Sequence, residues 1–338
     1  MTQKEIVRRV IRRQDPPRIA WDFLDPSYCD IQMADPIHLI NEEADKYSQF
    51  AHHAELMKKA DFHGEVRMDS YGNILGRLNG ITKGECVLGA LEKDWDALEA
   101  YEFPPIDLAH VEKVKAMNLQ DSGKYVLAGC PCSVFSTLRD LRKMDNALMD
   151  TVAEPEMIEA YMEKFIPFAV ETVHLAADCH VDGIIMCDDW GMQFSPFINP
   201  KAFRELFKPV YKKITDACHE RDVDFILHSC GFVLPLVDDM IEAGIDTFQF
   251  DQPEAAGSPL WAEKYSSRVS FYCPVDIQKV MPTGDRELIE KTALDMVDVF
   301  KRHGGALIAK DYPSWGDIGV NYEWAKWAMD IIVKNSEL

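Results

Sequence analysis

The chain has 338 residues, of which 47% are hydrophobic and 28% charged, a composition typical of a globular protein with a sizeable core and not of a disordered or collagen-like chain. Acidic residues number 57 against 36 basic ones, for a formal net charge of −21, which disfavours binding to nucleic acid, to anionic membranes and to polycarboxylate ligands. The chain lacks a signal-peptide core at its start and any long apolar stretch, so a cytoplasmic protein without a membrane span is expected.

The first 120 residues carry a weaker pattern than the rest of the chain. This part is interpreted as an N-terminal elaboration that also supplies the first strand. In chain order, the pattern predicts a strand at Ile19–Phe23, a helix near Asn41–Lys59, a hairpin around Met68–Leu78 and a loop-rich region to Pro105.

From residue 121 to residue 338, short apolar runs alternate with longer amphipathic segments, as in βα units around a parallel sheet. In the later part, successive predicted strands start roughly 22 residues apart, which leaves room for only one helix between them. This regular spacing favours a closed barrel over an open sheet. We therefore predict one barrel domain over residues 1–338. Its main strands are predicted at Tyr125–Ala128, Gly183–Cys187, Asp224–Leu227, Thr247–Phe250, Val269–Tyr272 and Ala306–Ala309.

Three of the intervening helices have clear start or stop signals, such as an Asn-Pro or Glu-Pro start and a Gly-Gly stop. They are predicted from Asn199 to about Glu220, from Glu154 onward with a kink at Pro167, and from Arg286 to His303.

Polar residues follow seven of the predicted strands. In a parallel barrel the side chains after the strands converge on one mouth, so these residues are candidates for chemistry. Each of them alone could equally be a helix-capping or loop residue. They are Asp22, Cys130 and Cys132, Asp188 and Asp189, His228 and Cys230, Asp251 and Gln252, Cys273 and Asp276, and Asp311 and Tyr312.

The sharpest local signal is the sequence His228-Ser-Cys230-Gly. An extended His-x-Cys places both side chains on one side of the backbone, with two ligands suited to zinc. A third ligand must come from another strand end, and Cys273, Asp311 and Tyr312 are the available donors. The similarly spaced sequence Cys130-Pro-Cys132, which follows the predicted strand Tyr125–Ala128, is interpreted as a structural turn.

Two carboxylates and an aromatic residue end another strand, in Asp188-Asp189-Trp190-Gly. The carboxylates could supply a general acid or base, a partner for a metal ligand, or the turn that starts a helix. Together with Tyr312 and Trp315, the indole of Trp190 would form an aromatic wall, which suits a flat organic substrate and equally suits core packing.

In this order, the motifs of the chain resemble the uroporphyrinogen decarboxylase superfamily, and in particular its cobalamin-dependent methyltransferase branch. The resemblance covers most of the chain and implies a (β/α)8 TIM barrel, here with an N-terminal elaboration. The motifs are Pro16-Pro-Arg-Ile, Asp69-Ser-Tyr-Gly-Asn, Asp188-Asp-Trp-Gly, Ile198-Asn-Pro, His228-Ser-Cys-Gly, Ile241-Glu-Ala-Gly-Ile-Asp, Asp251-Gln-Pro, Val275-Asp-Ile-Gln, Pro282-Thr-Gly and Gly304-Gly.

Two departures bear on which branch the chain is similar to. The decarboxylases carry an Arg-Gln-Ala-Gly-Arg-type motif near the start, where this chain reads Ile19-Ala-Trp-Asp-Phe-Leu-Asp, with acids in place of the bases that neutralise a porphyrinogen. The methyltransferases hold zinc with His-x-Cys and a distant Cys, but here no cysteine follows Cys273, and Asp311 or Tyr312 stands at that position. This favours demethylation of methoxylated aromatics over thiol chemistry.

The resemblance implies a methyltransferase that moves a methyl group from a small methylated substrate to the cob(I)alamin of a separate corrinoid protein. It implies zinc as cofactor, with Asp188 or Asp189 as acid or supporting group, and leaves an oligomer of identical chains open. A methylcorrinoid-to-acceptor enzyme, a metal-free decarboxylase relative and a catalytically silent corrinoid-docking protein are the alternatives. The resemblance assigns His228 and Cys230 as metal ligands, and we predict Asp311 as the third. The predicted substrate contacts are Asp22, Trp190, Asp251, Gln252 and Tyr312.

Overall fold

Eight parallel strands nearly close into a barrel in the computed structural model, which describes residues 1–78 and 84–338. Three further strands form a small antiparallel sheet in the N-terminal part. In chain order the strands are β1 (Ala20–Asp22), β2 (Ile31–Ala34), β3 (Glu65–Met68), β4 (Ile74–Arg77), β5 (Glu85–Leu88), β6 (Tyr125–Gly129), β7 (Gly183–Cys187), β8 (Asp224–His228), β9 (Thr247–Gln249), β10 (Ser270–Cys273) and β11 (Leu307–Lys310).

The barrel has the strand order β1-β11-β10-β9-β8-β7-β6-β2, and every hydrogen-bonded pair in it is parallel. The two end strands of this order approach each other through an antiparallel bridge between Asp22 and Cys29. The amide of Asp30 also donates to the carbonyl of Trp21 at 2.7 Å. The predicted (β/α)8 TIM barrel is therefore confirmed.

Helices connect the strands and cover the barrel. The helix that the Glu-Pro start predicted continues through Pro167 over 24 residues. The Asn-Pro helix contains a π-helical turn over Phe203–Phe207. The helices between β2 and the chain's last residue are Glu42–Lys46, Ala54–Lys59, Leu108–Lys115, Val134–Arg142, Met144–Ala153, Pro155–Asp178, Pro200–Ala202 with Lys208–His219, Val237–Glu242, Ser258–Tyr265, Arg286–Arg302 and Tyr322–Lys334.

A helix that the sequence analysis missed, Gln3–Arg12, closes the barrel at the amino ends of the strands. A capping box between Thr2 and Glu5 fixes its start. Its apolar face is buried in a cluster with residues that point into the barrel from the strands. These residues are Ala20, Ile31, Tyr125, Leu127, Ile226, Tyr272 and Ile308.

Ion pairs attach this helix to the barrel. Arg8 pairs with Asp182 at 3.1 Å and Arg12 with Asp224 at 3.0 Å, and these acids lie at or just before the starts of β7 and β8. The ligand-accessible end of the barrel is therefore the opposite one, where the strands end.

The N-terminal part differs most from its prediction. The predicted helix near Asn41–Lys59 is two short helices, because Ala51 between them pairs with Val66 of β3 in both directions. The predicted hairpin is present and gains β5 as a third strand. Part of the predicted loop-rich region, residues 79–83, lies outside the described residues.

Strand β2 was missed although it belongs to the barrel. It follows β1 after only eight residues with no α-helix between them, so the βα alternation that revealed the other strands does not mark it. The six main strands lie within one residue of their predicted ends. Within residues 1–78 and 84–338, no helix combines the length and apolar character needed to span a bilayer.

Candidate metal centre and cavity

The ends of the neighbouring strands β7 and β8 bring two of the predicted motifs together. Cys187 pairs with His228 in the ladder, and the amide of Asp188 donates to the carbonyl of His228 at 2.9 Å. In the next residues, the amide of Cys230 donates to Oδ1 of Asp189 at 2.8 Å. The two loops therefore leave the barrel as a bonded pair.

Glycines allow these two loops to pass each other. A Cβ atom on Gly191 would lie 2.5 Å from the backbone nitrogen of Phe232, and one on Gly231 would lie 2.4 Å from the backbone of Gly191. Gly231 also has a φ of +77°, in the left-handed region that favours glycine. Both motifs end in glycine because a side chain at either position would force the loops apart.

This pairing brings together three atoms that could bind a metal ion. The residues that carry them, Asp189, His228 and Cys230, are called the metal-ligand group. Among the described residues, the ligand atoms of Asp189, His228 and Cys230 lie within 4.8 Å of one another. The Nε2 atom of His228 is 3.4 Å from the Sγ of Cys230 and 3.5 Å from the Oδ1 of Asp189. Nitrogen, thiolate and carboxylate ligands in a set of three fit zinc with a fourth position open.

The electrostatics of the group also fit a cation. Burial and the neighbouring Asp189 carboxylate raise the pKa of the Cys230 thiol well above its ordinary value. A divalent cation reverses that effect and stabilises the thiolate. Without a cation, the Cys230 thiolate beside the Asp189 carboxylate is therefore unfavourable. A bound cation would stabilise both negative charges.

A chain of hydrogen bonds orients the imidazole of His228. The Nε2 of Gln249 donates to Oδ1 of Asp251 at 2.8 Å, so the Oε1 of Gln249 faces His228 and accepts from its Nδ1. Asp251 in turn pairs with Lys310 at 3.1 Å. With the proton on Nδ1, the Nε2 atom of His228 is free to bind a metal.

Asp311 does not join the metal-ligand group, contrary to the expectation from the sequence. Its carboxylate accepts from the amide of Leu24 at 2.8 Å and from the indole of Trp315 at 3.3 Å. Burial raises the pKa of Asp311. Of the other predicted donors, Cys273 is buried, with a pKa that burial raises to about 12, and Tyr312 packs at 5.9 Å from Trp315. The third residue of the group is Asp189.

The two neighbouring aspartates have different surroundings. Asp188 is fully buried and accepts from the backbone amides of Phe135 and Ser136 and from the hydroxyl of Tyr211. Those amides belong to the first turn of helix Val134–Arg142, so Asp188 serves as its N-terminal cap. Burial raises its pKa, and its carboxylate does not line the cavity described below.

Trp190, a predicted substrate contact, does not line the cavity described below. Its side chain is fully buried and stacks on Phe135 at 4.6 Å. Its indole donates to the hydroxyl of Tyr211 at 2.8 Å. Trp190 therefore belongs to an aromatic core between the barrel and its helices, the alternative that its residue type also allowed.

A cavity of about 470 Å³ occupies the carboxyl end of the barrel. It borders the metal-ligand group through Gln249, which contacts His228, and through Cys187. Its walls combine apolar residues with a few polar ones. They are Asp22, Phe23, Leu24, Met33, Leu127, Gly129, Cys130, Ile185, Cys187, Gln249, Tyr272, Lys310, Asp311 and Pro313.

Of the predicted substrate contacts, Asp22 lines this cavity. Asp251 does not line it but pairs with Lys310, which does. Gln252 accepts from the amide of Gly231 at 3.2 Å and thus supports the loop that carries Cys230. Sequence reasoning missed Gln249 and Lys310, although each is a polar residue at the end of its strand, which was an available signal.

A second, more open cavity of about 550 Å³ lies between the small sheet and the loop after β6. Acidic residues such as Asp69 and Asp140 contribute to its lining. Burial raises the pKa of both carboxyls. None of the residues of the metal-ligand group lines it.

The model of the family described as "Uroporphyrinogen decarboxylase (URO-D)" matches residues 107–309, which is more than half of the chain. The chain belongs to the URO-D family. The match begins before β6 and ends within β11, so it includes the metal-ligand group and half of the residues that line the cavity of this URO-D protein. No curated protein sequence matches the chain.

A solved structure shares the fold of this URO-D protein. A methyltransferase from Methanosarcina mazei is 12% identical, with a TM-score of 0.63, and the match covers 99% of each chain. D-psicose 3-epimerase from Clostridium cellulolyticum H10, solved with D-tagatose, is 12% identical over 71% of this chain and 86% of that chain, with a TM-score of 0.38. The first match shows a common architecture along the whole chain.

Proposed function

We propose that this URO-D family protein is a zinc-dependent methyltransferase. It moves a methyl group from a small methylated substrate, such as a methoxylated aromatic compound, to the cob(I)alamin of a separate corrinoid protein. The observation that carries the proposal is the group formed by Asp189, His228 and Cys230 beside a cavity at the barrel mouth. The fold shared with a methyltransferase from Methanosarcina mazei supports the same reaction class.

The three ligands would hold zinc at the side of the cavity where β7 and β8 end. When bound there, zinc supplies a Lewis acid that assists departure of the substrate's oxygen, because an aryl methyl ether is a poor methyl donor without electrophilic help. Gln249 keeps the His228 imidazole in the tautomer that binds a metal through Nε2. The amide of Cys230 fixes the carboxylate of Asp189 beside it.

The cavity positions the substrate for an in-line displacement. Its apolar residues, among them Leu127 and Ile185, would surround the body of the substrate and exclude water from the reacting atoms. Cob(I)alamin, presented by its partner protein, supplies the nucleophile that accepts the methyl group. The exposed apolar side chains of Leu24 and Met33, which also line the cavity, would border that approach.

A decarboxylase acting on a porphyrinogen fits this cavity less well. Such a substrate carries many carboxylates, and the side chains that line the cavity include one cation, Lys310, with Asp22 and Asp311 beside it. The local charge would repel a polyanion. A methylated substrate with little negative charge meets no such barrier.

The test is a single-turnover assay with the purified full-length chain, a corrinoid protein reduced to the cob(I) state and a panel of methoxylated aromatic compounds. We expect the cob(I)alamin absorbance to convert to that of methylcobalamin with at least one compound, and the demethylated phenol to form in equal amount. Carbon dioxide release from an added acid without methylcobalamin would support the decarboxylase alternative. Conversion only in the direction from methylcobalamin to an acceptor would reverse the proposed transfer.

A further inference from the structure

The acidic side chains of the barrel cavity already receive hydrogen bonds from the protein. Asp22 accepts from the hydroxyl of Tyr272, and Asp311 accepts from Leu24 and Trp315. A carboxylate supplied with donors in this way has less need of a ligand donor. The acids of the cavity are therefore parts of the wall with their own partners.

Lys310 differs from them because its hydrogen-bonding capacity is largely unused. Its ammonium has three N–H donors, and within residues 1–78 and 84–338 one hydrogen bond is found for it, to Asp251 at 3.1 Å. The ring of Tyr272 lies 5.4 Å away. The side chain is buried and lines the cavity, and among the described residues no second acid lies within hydrogen-bond distance of its ammonium, so its remaining donors are available to a group in the cavity.

The rest of the cavity limits what could satisfy this ammonium. Apolar residues including Phe23 and Ile185 form much of the wall, which suits a compact apolar body. A buried ammonium with unused donors favours an anionic oxygen. Because Asp251 already pairs with this cation, and Asp22 and Asp311 also line the cavity, the site can hold at most one further negative charge, shared with Asp251 on the same ammonium.

We propose that Lys310 forms an anion subsite, in which its ammonium binds the carboxylate of a small, otherwise apolar substrate. This deepens the proposed function, on which it rests, by naming the substrate class as methylated monocarboxylic acids. The carboxylate would share the ammonium with Asp251 and so connect to the chain of hydrogen bonds through Gln249 to His228. Substrate binding and the metal ligand would then depend on the same polar residues.

The experiment measures binding of three probes of matched shape, benzoate, benzamide and benzylamine, to the full-length protein by calorimetry. We expect benzoate to bind at least about tenfold more tightly than benzamide, the difference that one hydrogen bond to a charged group typically gives. Lys310→Met should abolish the preference for benzoate, and Lys310→Arg should retain part of it.

Two controls separate the subsite from other causes. Lys310→Met leaves Asp251 buried without its cation, so the double variant Lys310→Met with Asp251→Asn, in which neither charge remains, should show the same loss of preference. In Cys230→Ala, which should not hold zinc, the preference for benzoate should persist, because a carboxylate bound only to the metal would lose it there.

The proposal is overturned if benzoate does not bind at millimolar concentration, if benzamide or benzylamine binds as tightly, or if Lys310→Met keeps the preference. None of these measurements needs a corrinoid or a methyl donor. Charge-selective binding that depends on Lys310, in a protein that transfers no methyl group, would therefore leave the subsite standing and remove the proposed function.

Discussion

At the scale of single residues, the central question is which three side chains would hold the proposed zinc. His228 and Cys230 follow from the sequence, because an extended His-x-Cys presents both side chains together. Asp189 follows only from the structure, since its contact with Cys230 depends on the pairing of two loops far apart in the chain.

We expect about one zinc per chain, lost in His228→Ala and in Cys230→Ala, because removal of one of three ligands leaves an incomplete shell. Asp189→Ala should weaken zinc binding more than about tenfold. Asp311→Ala is the matched control and should keep the wild-type zinc content.

Metal analysis with chelator competition measures these outcomes. Stoichiometric zinc in the His228 and Cys230 double variant would remove the assignment, and zinc loss confined to Asp311→Ala would restore the sequence-based third ligand.

Gln249 should influence the metal without touching it. Its side chain accepts from Nδ1 of His228 and donates to Asp251, and loss of such a partner typically costs a metal site about 10- to 100-fold in affinity. Gln249→Leu should weaken zinc binding by that amount, whereas Gln249→Glu, which keeps an acceptor, should rescue part of it. Equal zinc affinity in Gln249→Leu and wild type would mean that the imidazole is oriented by other contacts.

At the scale of elements, Asp188 connects β7 to the helix Val134–Arg142. Because its carboxylate caps the first turn of that helix and accepts from Tyr211, Asp188→Asn should lower the free energy of unfolding by about 1–3 kcal/mol. The zinc content should not change. Urea denaturation measures the loss, and Asp189→Asn is the control, expected to change zinc affinity far more than stability. The reverse pattern in the two variants would show that their roles are exchanged.

The attachment of the N-terminal helix should depend on pH through Asp224. Burial is the main cause that raises the pKa of this carboxyl to about 6 from 3.8, although Arg12 opposes it. A raised pKa means that the folded state binds the proton more tightly, so this group's stabilisation is full below pH 3.8 and is lost as the pH rises through about 6.

Asp224→Asn mimics the protonated form and does not titrate. The stability of the wild type relative to Asp224→Asn should therefore fall between about pH 4 and pH 7, as measured by urea denaturation at several pH values. A difference that grows with pH would show instead that the ion pair with Arg12 dominates and lowers the pKa.

Sequence patterns predicted those elements whose local signal agrees with their place in the fold. The strands from β6 to β11 are short apolar runs between amphipathic helices, and their ends lie within one residue of the prediction. Strand β2 was missed because no α-helix separates it from β1. The helix Gln3–Arg12 was missed although its capping box and the spacing of its apolar residues were available local signals. The burial of Trp190 and the position of Asp311 were not predictable from spacing, because they depend on contacts such as those with Phe135 and Leu24, which are far away along the chain.

At the scale of the whole molecule, the fold separates stability from chemistry. The helix Gln3–Arg12 and its ion pairs close the amino end of the barrel. The metal-ligand group, the cavity and Lys310 lie at the carboxyl end, where barrel enzymes have their active sites. Apolar side chains are exposed in the loop after β7, such as Phe194, and would contribute to the surface that the proposed corrinoid partner would approach.

The most direct test of the account compares the wild-type protein with Cys230→Ala in the conversion of cob(I)alamin to methylcobalamin, followed by absorbance with a methoxylated aromatic acid as the methyl donor. Cys273→Ala is the control, since that buried cysteine lies outside the metal-ligand group. We predict conversion by the wild type and the control, and a rate at least about 100-fold lower in Cys230→Ala, because the metal acts on the departing oxygen in the transition state. Conversion by Cys230→Ala at the wild-type rate would contradict the account.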